Sequence, residues 1–226
     1  MRLVRTPSPN FGPRRAAAID MLVLHYTGMR SAGEALARLC DPAAQVSAHY
    51  LIDEDGTVHA LVAEGERAWH AGAAAWRGET DVNSRSLGIE LVNPGHEFGY
   101  RAFPAAQIDA LIELGGGILA RHPIPARNVV GHSDVAPARK EDPGELFPWP
   151  RLQEYGLGLW PFDGGEHAAV PSADQTATLL AGYGYDVTDL GAAVAAFQRH
   201  FRPGHIDGRL DAECAGRLMR LLDVVG

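Results

Sequence analysis

Two histidines and one aspartate have the residue types and spacing of a catalytic metal site. His25 ends the apolar run MLVLH, His132 ends the run NVVGH, and Asp142 follows in a loop that contains Pro143. Two imidazoles and a carboxylate form a ligand set for catalytic zinc, which leaves a fourth coordination position for water. We therefore predict that His25, His132 and Asp142 hold Zn²⁺, although each residue alone is also typical of a structural histidine or a turn.

A carboxylate and an ammonium group accompany this set. Glu90 lies in the run LGIELVN, and Lys140 precedes Asp142 by two residues. A carboxylate near a metal can transfer a proton, and a cation there can stabilise an oxyanion. On the pattern alone, Glu90 also fits the solvent side of an alternating strand, and Lys140 also fits a solvated loop with local charge pairing.

The elements that position these residues alternate between strands and helices. Apolar or alternating runs bounded by Gly, Pro, Asp or Asn predict strands over residues 21–25, 49–52, 57–62, 87–93 and 129–132. Helical spacing predicts helices over 31–40 and 105–122, although Gly115–Gly117 weakens the second. Asp55–Gly56 predicts a hairpin turn. This pattern is typical of an α/β domain, whose sites form at strand ends.

A second, smaller unit follows a stretch without periodicity. The Gly- and Pro-containing residues 161–171 predict a linker. Ser172 and Asp211 can cap helices on either side of a third helix over residues 190–201. A unit of about 55 residues buries only a small core, so we expect it to lean on the first domain or to be marginal alone.

Charge and hydropathy exclude two classes of partner. The formal net charge is −8, and the densest basic cluster is the pair Arg14–Arg15. Nucleic acid is therefore not an expected partner. The most apolar stretch, residues 110–120, contains Glu113 and is shorter than the roughly 18 residues of a membrane span, so no transmembrane segment is expected.

Five segments of the chain together resemble a known enzyme family. They read VLHYTG, VSAHYLID, AWHAG, NSRSLGIELVN and VVGHSDVAPARKEDPGELFPW. These segments, within residues 10–161, resemble the zinc-dependent N-acetylmuramoyl-L-alanine amidases of the AmpD/AmiD type (amidase family 2). The resemblance implies a mixed central sheet flanked by helices. It also implies hydrolysis of the amide bond between N-acetylmuramic acid, or its 1,6-anhydro form, and L-alanine of the stem peptide.

The resemblance assigns roles to the residues already singled out. His25, His132 and Asp142 match the family's zinc ligands, and Glu90 and Lys140 match its catalytic glutamate and lysine. Zinc lowers the pKa of a bound water from about 15.7 toward 7. Glu90 would then transfer the water's proton to the leaving nitrogen, and Lys140 would stabilise the oxyanion.

Four further residues are predicted to bind substrate. Trp69 and His70 resemble the family's groove wall, where an aromatic face can stack on sugar, although Trp69 also fits a core position. Asn83 and Arg85 precede the Glu90 strand, and a guanidinium at the rim could bind a stem-peptide carboxylate. His49 is predicted to be a packed histidine, not a ligand.

The C-terminal unit resembles a three-helix peptidoglycan-binding domain. The likeness lies in Phe197, Gln198, Phe201 and the turn Asp207–Gly208. The predicted organisation is a zinc amidase domain over residues 1–165 and a peptidoglycan-binding-like domain over 171–226. Because an FQ pair and a DG turn also suit any small helical core, glycan binding stays open.

Two other functions and two locations remain open. A peptidoglycan-recognition module would bind muropeptide without cutting it, but it would be expected to lack a ligand or the acid–base residue. A zinc peptidase acting within the stem peptide is not excluded by the metal chemistry. Residues 1–20 contain three prolines and no apolar core of an export signal, which favours the cytoplasm. The periplasm or cell envelope is the alternative if a leader is missing from this sequence.

Overall fold

The computed structural model describes residues 1–16 and 18–226. The fold is a mixed sheet covered by helices on both faces. The strands are β1 (Arg2–Arg5), β2 (Phe11–Pro13), β3 (Met21–Tyr26), β4 (Tyr50–Ile52), β5 (Thr57–Ala60), β6 (Glu66–Ala68), β7 (Ser86–Leu91) and β8 (Val129–Gly131). The helices are α1 (Ala32–Leu39), α2 (Val82–Arg85), α3 (Gly95–Phe98), α4 (Ala105–Arg121), α5 (His132–Val135), α6 (Trp149–Gln153), α7 (Ala173–Tyr183), α8 (Leu190–Phe201) and α9 (Ala212–Val225), with a 3₁₀ turn at Ala126–Asn128.

The central sheet has the strand order β1-β5-β4-β7-β3-β8. Its neighbours are parallel except β4 and β5, which form an antiparallel hairpin. Gly56 turns this hairpin with a φ of 85°, and a Cβ there would lie 2.7 Å from the Ala106 carbonyl oxygen. The predicted α/β class, the mixed sheet and the hairpin turn are confirmed.

The parallel strands β7, β3 and β8 place the chemistry at one edge of the sheet. His25 on β3 is paired in register with Glu90 on β7, and His132 follows directly after β8. Because all three strands run in the same direction, their carboxyl ends meet at one edge.

Three short strands were not predicted from the sequence. β1, β2 and β6 read RLVR, FGP and ERA, which are too short and too polar for an alternating apolar pattern. β2 and β6 pair only with each other, in a separate two-stranded sheet. Tertiary pairing therefore decides these strands rather than local sequence.

The two faces of the sheet have separate cores because side chains alternate along each strand. Leu22 and Leu24 of β3 face a core that includes α4, α6 and Phe147. Met21 and Val23 of the same strand face a second core that includes residues of α7, α8 and α9. A third cluster lies between α1 and the β4 side of the sheet.

Helix α4 continues through the glycine triplet that weakened its prediction. Gly115 lies against Leu157, and a Cβ at Gly115 would lie 2.8 Å from a methyl carbon of Leu157. The glycine therefore allows a close approach between α4 and the segment after α6, which compensates for its poor helix propensity.

Helices α7 and α9 begin at the predicted capping residues, Ser172 and Asp211, whereas Asp189, which caps α8, was not predicted. The side chains of Ser172, Asp189 and Asp211 each accept a hydrogen bond from a backbone N–H of the first turn of α7, α8 and α9. These helices lean on the first unit, since Phe197 and Phe201 of α8 belong to the same core as Met21 and Val23. The division into two domains at residues 165 and 171 stays a prediction. Among the described residues, no helix has the length and apolar character needed to span a membrane.

Candidate active site

Three potential ligand atoms converge at the carboxyl edge of the sheet. The Nδ1 atoms of His25 and His132 are 2.9 Å apart, and Oδ2 of Asp142 lies 3.1 Å from the first and 3.0 Å from the second. All three residues are buried. They form a group that could hold a metal ion.

Hydrogen bonds on the far side of each imidazole orient these ligand atoms. Nε2 of His132 lies 3.0 Å from the Ala71 carbonyl oxygen, to which it must donate its proton. Nε2 of His25 lies 3.1 Å from Nδ1 of His70, and Nε2 of His70 lies 3.1 Å from the Ser86 hydroxyl. The Ser86 hydroxyl donates to the Val82 carbonyl oxygen at 2.6 Å.

This arrangement fixes which nitrogen carries each proton. Since the Val82 carbonyl can only accept, Ser86 accepts from His70, and His70 accepts from His25. The inward Nδ1 atoms of His25 and His132 are then unprotonated. Two lone pairs and a carboxylate oxygen about 3 Å apart repel one another unless a cation lies between them. The donor set therefore fits a divalent metal ion of the borderline-soft kind.

The charge states of the ligands suit metal binding. Burial, and then the neighbouring His132, lower the pKa of His25 to about 4. Burial alone would raise the pKa of Asp142, but the two histidines outweigh it and hold that pKa well below its ordinary value. Burial and the neighbouring His25 likewise hold the pKa of His70 well below its usual range. Neutral imidazoles and an ionised carboxylate are the forms that bind a metal.

Glu90 is the partly buried carboxyl group beside this triad. Its Oε2 atom has no hydrogen-bond partner among residues 1–16 and 18–226. Burial, with the negative charge of Asp142 as a further cause, raises the pKa of Glu90 well above its ordinary value, and Lys140 opposes this shift. A carboxyl group with a raised pKa is better able to take up and release a proton during a reaction. Glu90 is partly exposed, and it lines the cleft beside the triad.

A cleft opens above the triad and contains the other predicted catalytic residue. Lys140 lines this cleft with Glu90, His132 and Asp142. Its backbone N–H donates to the Ala136 carbonyl oxygen at 3.0 Å, so the loop after α5 turns back toward the site. Lys140 is also the only lysine in the sequence.

The four residues predicted to bind substrate are not all in the cleft. Trp69 and His70 line it, but His70 is bonded to His25 and Ser86 on both sides of its ring. Asn83 is buried, and its side-chain oxygen accepts from the backbone N–H groups of His70 and Ala71. It thus shapes the loop that follows Trp69.

The predicted rim position of Arg85 is corrected by the structure. Its guanidinium donates to both carboxylate oxygens of Asp20, at 2.8 and 2.5 Å, at the opposite end of the sheet from the metal triad. β7 begins directly after Arg85, whereas Glu90 lies near its carboxyl end. A residue at the amino end of a six-residue strand cannot reach a site at the other end.

Sequence reasoning missed several residues of the site. Arg139 lines the cleft and donates to the carbonyl oxygens of Ala71 and Ala73, at 2.7 and 2.8 Å. Tyr26 and His96 form a hydrogen-bonded pair at the rim, 2.9 Å apart. The position of Tyr26 immediately after His25 was a usable signal, whereas His96 had none. His49 is packed as predicted, with Nδ1 accepting from the Gly88 N–H.

A buried triad that could hold a metal ion, beside a carboxyl group of raised pKa, is typical of metal-dependent hydrolases. The family model for N-acetylmuramoyl-L-alanine amidases (Amidase_2) matches residues 15–145. The chain therefore belongs to the N-acetylmuramoyl-L-alanine amidase family.

Curated relatives and solved structures agree with this assignment. N-acetylmuramoyl-L-alanine amidase AmiD of Escherichia coli K12 is 41% identical over 92% of this chain and 84% of its own length. The 1,6-anhydro-N-acetylmuramyl-L-alanine amidase AmpD of the same strain is 38% identical over 48% of this chain and 57% of its own. AmpDh3 of Pseudomonas aeruginosa has a TM-score of 0.79 at 33% identity and covers 96% of both chains.

A solved complex of E. coli AmiD gives a TM-score of 0.84 at 40% identity, covering 94% of this chain and 93% of AmiD. That complex contains the substrate anhydro-N-acetylmuramic acid-L-Ala-D-γ-Glu-L-Lys. AmpDh3 is likewise known in complex with an anhydromuramic pentapeptide.

Proposed function

We propose that this chain is a zinc amidase that hydrolyses the bond between the lactyl carbonyl of N-acetylmuramic acid, or its 1,6-anhydro form, and the nitrogen of L-alanine. His25, His132 and Asp142 would hold the zinc ion. The observation that carries the proposal is the convergence of three unprotonated ligand atoms within 3.1 Å, beside Glu90, whose Oε2 atom has no hydrogen-bond partner among the described residues.

Glu90 and Lys140 would perform the chemical steps that zinc does not. A bound zinc ion would supply a water of lowered pKa and polarise the scissile carbonyl. Glu90 removes a proton from the attacking water and delivers it to the alanine nitrogen, which leaves poorly unless protonated. Lys140 stabilises negative charge on the carbonyl oxygen from the loop that also carries Asp142.

Two kinds of support favour a muropeptide as the substrate. AmiD and AmpDh3 have been solved with anhydromuropeptides, and both match nearly the whole of this chain. The cleft combines the indole of Trp69 with the cationic groups of Arg38, Arg139 and Lys140. An aromatic face and cations suit a sugar ring joined to a peptide that carries carboxylates.

The proposal is tested by mixing the protein with an anhydromuropeptide and identifying products by mass spectrometry. We expect free stem peptide and free anhydro-sugar in equal amounts. A chelator should stop the reaction, and added zinc should restore it. Asp142→Asn is a variant expected to lose zinc, and Asp41→Asn, at an exposed position after α1, is its control.

The same assay separates the other two candidate functions. A recognition module would bind the muropeptide and leave it intact, which would overturn the enzymatic proposal. A zinc peptidase would release fragments cut within the stem, with the muramoyl–alanine bond still present.

Substrate size and location require their own measurements. Soluble fragments and polymeric sacculi compared in one assay would show whether the cleft accepts long glycans. The cytoplasmic location stays a prediction, and fractionation of the native host with an antibody against the chain would test it against the envelope. Glycan binding by residues 171–226 also stays a prediction, and cosedimentation of the Glu90→Gln protein with sacculi would test it.

A further inference from the structure

We infer that the C-terminal helices position the metal site through Asp134, whose carboxylate is held by Tyr185 and His200. Asp134, Tyr185 and His200 together form the Asp134 clamp. The inference rests on the metal site proposed above. It assigns the C-terminal unit a role in catalysis that does not depend on whether that unit binds glycan.

The Asp134 clamp is a buried set of short hydrogen bonds. Asp134 has no exposed surface, and its Oδ1 atom accepts from the Tyr185 hydroxyl at 2.7 Å. Its Oδ2 atom accepts from Nδ1 of His200 at 2.7 Å and from the backbone N–H of Gly131 at 2.7 Å. Two donors thus come from the C-terminal unit, and one comes from the strand end that precedes His132.

Aromatic packing fixes the two C-terminal donors. The ring of His200 is stacked between Trp149, at a centroid distance of 3.7 Å, and Phe201, at 3.8 Å. The ring of Tyr185 contacts Trp76 edge to face at 5.3 Å. Neither His200 nor Tyr185 can move away from Asp134 without disturbing a neighbouring aromatic ring. The carboxylate therefore has a defined position.

Asp134 shapes the turn that presents two of the proposed ligands. Its bond to the Gly131 N–H closes the first turn of α5, and His132 lies inside that turn. The backbone N–H of Ser133, the residue after His132, donates to the Asp142 carbonyl oxygen at 2.9 Å. A shift of this turn would therefore move His132 and Asp142 together.

Core packing alone does not account for the clamp. Burying a carboxylate is costly, and apolar side chains of similar volume would fill the same space at no electrostatic cost. The three hydrogen bonds instead fix the orientation of the Asp134 carboxylate more precisely than apolar contacts could. Groups that hydrogen-bond a metal ligand tune the site, and their loss typically reduces metal affinity about 10- to 100-fold. Asp134 acts one step further out, through the backbone of the turn, so we expect the low end of this range.

The test uses the full chain and two variants that keep the aromatic packing. Tyr185→Phe removes one donor, and His200→Phe removes the other while preserving a ring between Trp149 and Phe201. Tyr183→Phe is the matched control, because Tyr183 is also buried in this aromatic cluster and its hydroxyl has no hydrogen bond within residues 1–16 and 18–226. Zinc affinity is measured by competition with a chromophoric chelator, and coordination geometry is measured from the visible spectrum of the Co²⁺-loaded protein.

We expect wild type and Tyr183→Phe to bind zinc equally, and Tyr185→Phe and His200→Phe to bind it about 10-fold more weakly with an altered Co²⁺ spectrum. In the amidase assay kcat should fall in both clamp variants while KM stays unchanged. If both are less stable but keep the affinity and spectrum of the control, the clamp is only structural and the inference is wrong. If wild type itself binds no zinc, the proposed metal site fails first, which is a distinguishable result.

Discussion

The two nitrogens of the His25 ring have different partners: Nε2 lies 3.1 Å from Nδ1 of His70, and Nδ1 lies 3.1 Å from Oδ2 of Asp142. Nδ1 of His70 can accept a hydrogen bond from Nε2–H of His25 only if the His70 proton is on Nε2. That Nε2–H then donates to the Ser86 hydroxyl. His70 therefore orients His25, a proposed metal ligand, although the sequence predicted a role in substrate binding.

His70 and Trp69 line the same cleft, but their substitution should have different effects. We expect His70→Ala to weaken zinc binding at least 10-fold, because His25 loses the acceptor that fixes its tautomer. Trp69→Ala should keep wild-type zinc affinity and raise KM. Chelator competition and steady-state kinetics measure both. A His70→Ala protein with normal zinc affinity and a raised KM would instead support the groove role.

Replacing Glu90 should separate metal binding from proton transfer. Glu90→Gln keeps the shape of the side chain but cannot shuttle a proton, so kcat should fall at least about 100-fold while zinc stays bound. Glu141→Gln is the control, since Glu141 lines the same cleft with 56% of its side chain exposed. Equal rates for Glu90→Gln and wild type would remove Glu90 from the mechanism.

Lys140 can be tested by chemistry as well as by mutation. Lys140→Met should reduce kcat about 100-fold or more, the usual effect of removing one oxyanion stabiliser. Because the chain has no other lysine, amine-selective acetylation reaches only Lys140 and the N-terminal amino group. It should inactivate wild type and spare the residual activity of Lys140→Arg. Inactivation of both proteins to the same extent would point to the N-terminus.

Acid stability should depend on Glu64, which is not one of the proposed metal ligands. Burial alone would raise its pKa, but hydrogen bonds from Arg121, His122 and Tyr50 outweigh it and lower the pKa to about 2. A carboxyl group with a depressed pKa contributes its full stabilisation when the pH is above its ordinary pKa near 4.5. This contribution is lost as the pH falls toward 2.

Glu64→Gln should accordingly lower the thermal midpoint by about 3 °C or more at pH 7, with a difference that shrinks below pH 4.5. Glu54→Gln is the control, because Glu54 forms only a more exposed ion pair with Arg101. Scanning calorimetry from pH 3 to 7 measures both. A Glu64 effect that does not change with pH would contradict the proposed charge dependence.

Local signals in the sequence predicted the helices of the C-terminal unit well. Ser172 and Asp211 were identified as caps, and residues 190–201 match α8 at both ends. Capping and periodicity act within a few residues, so the local sequence contains the necessary information. β2 and β6 lack such signals, because each forms its strand hydrogen bonds with a partner that is distant in the sequence.

By itself the sequence determined the residue types that could hold a metal ion, namely His25, His132 and Asp142, and the strand ends that position the two histidines. Only the tertiary structure decided that His70 supports His25, that Arg85 pairs with Asp20, and that His200 holds Asp134. The physical reason is that these contacts join residues 45, 65 and 66 positions apart. The choice of partner for a buried polar group depends on which groups the packed chain brings within hydrogen-bonding distance, and no local pattern contains that information.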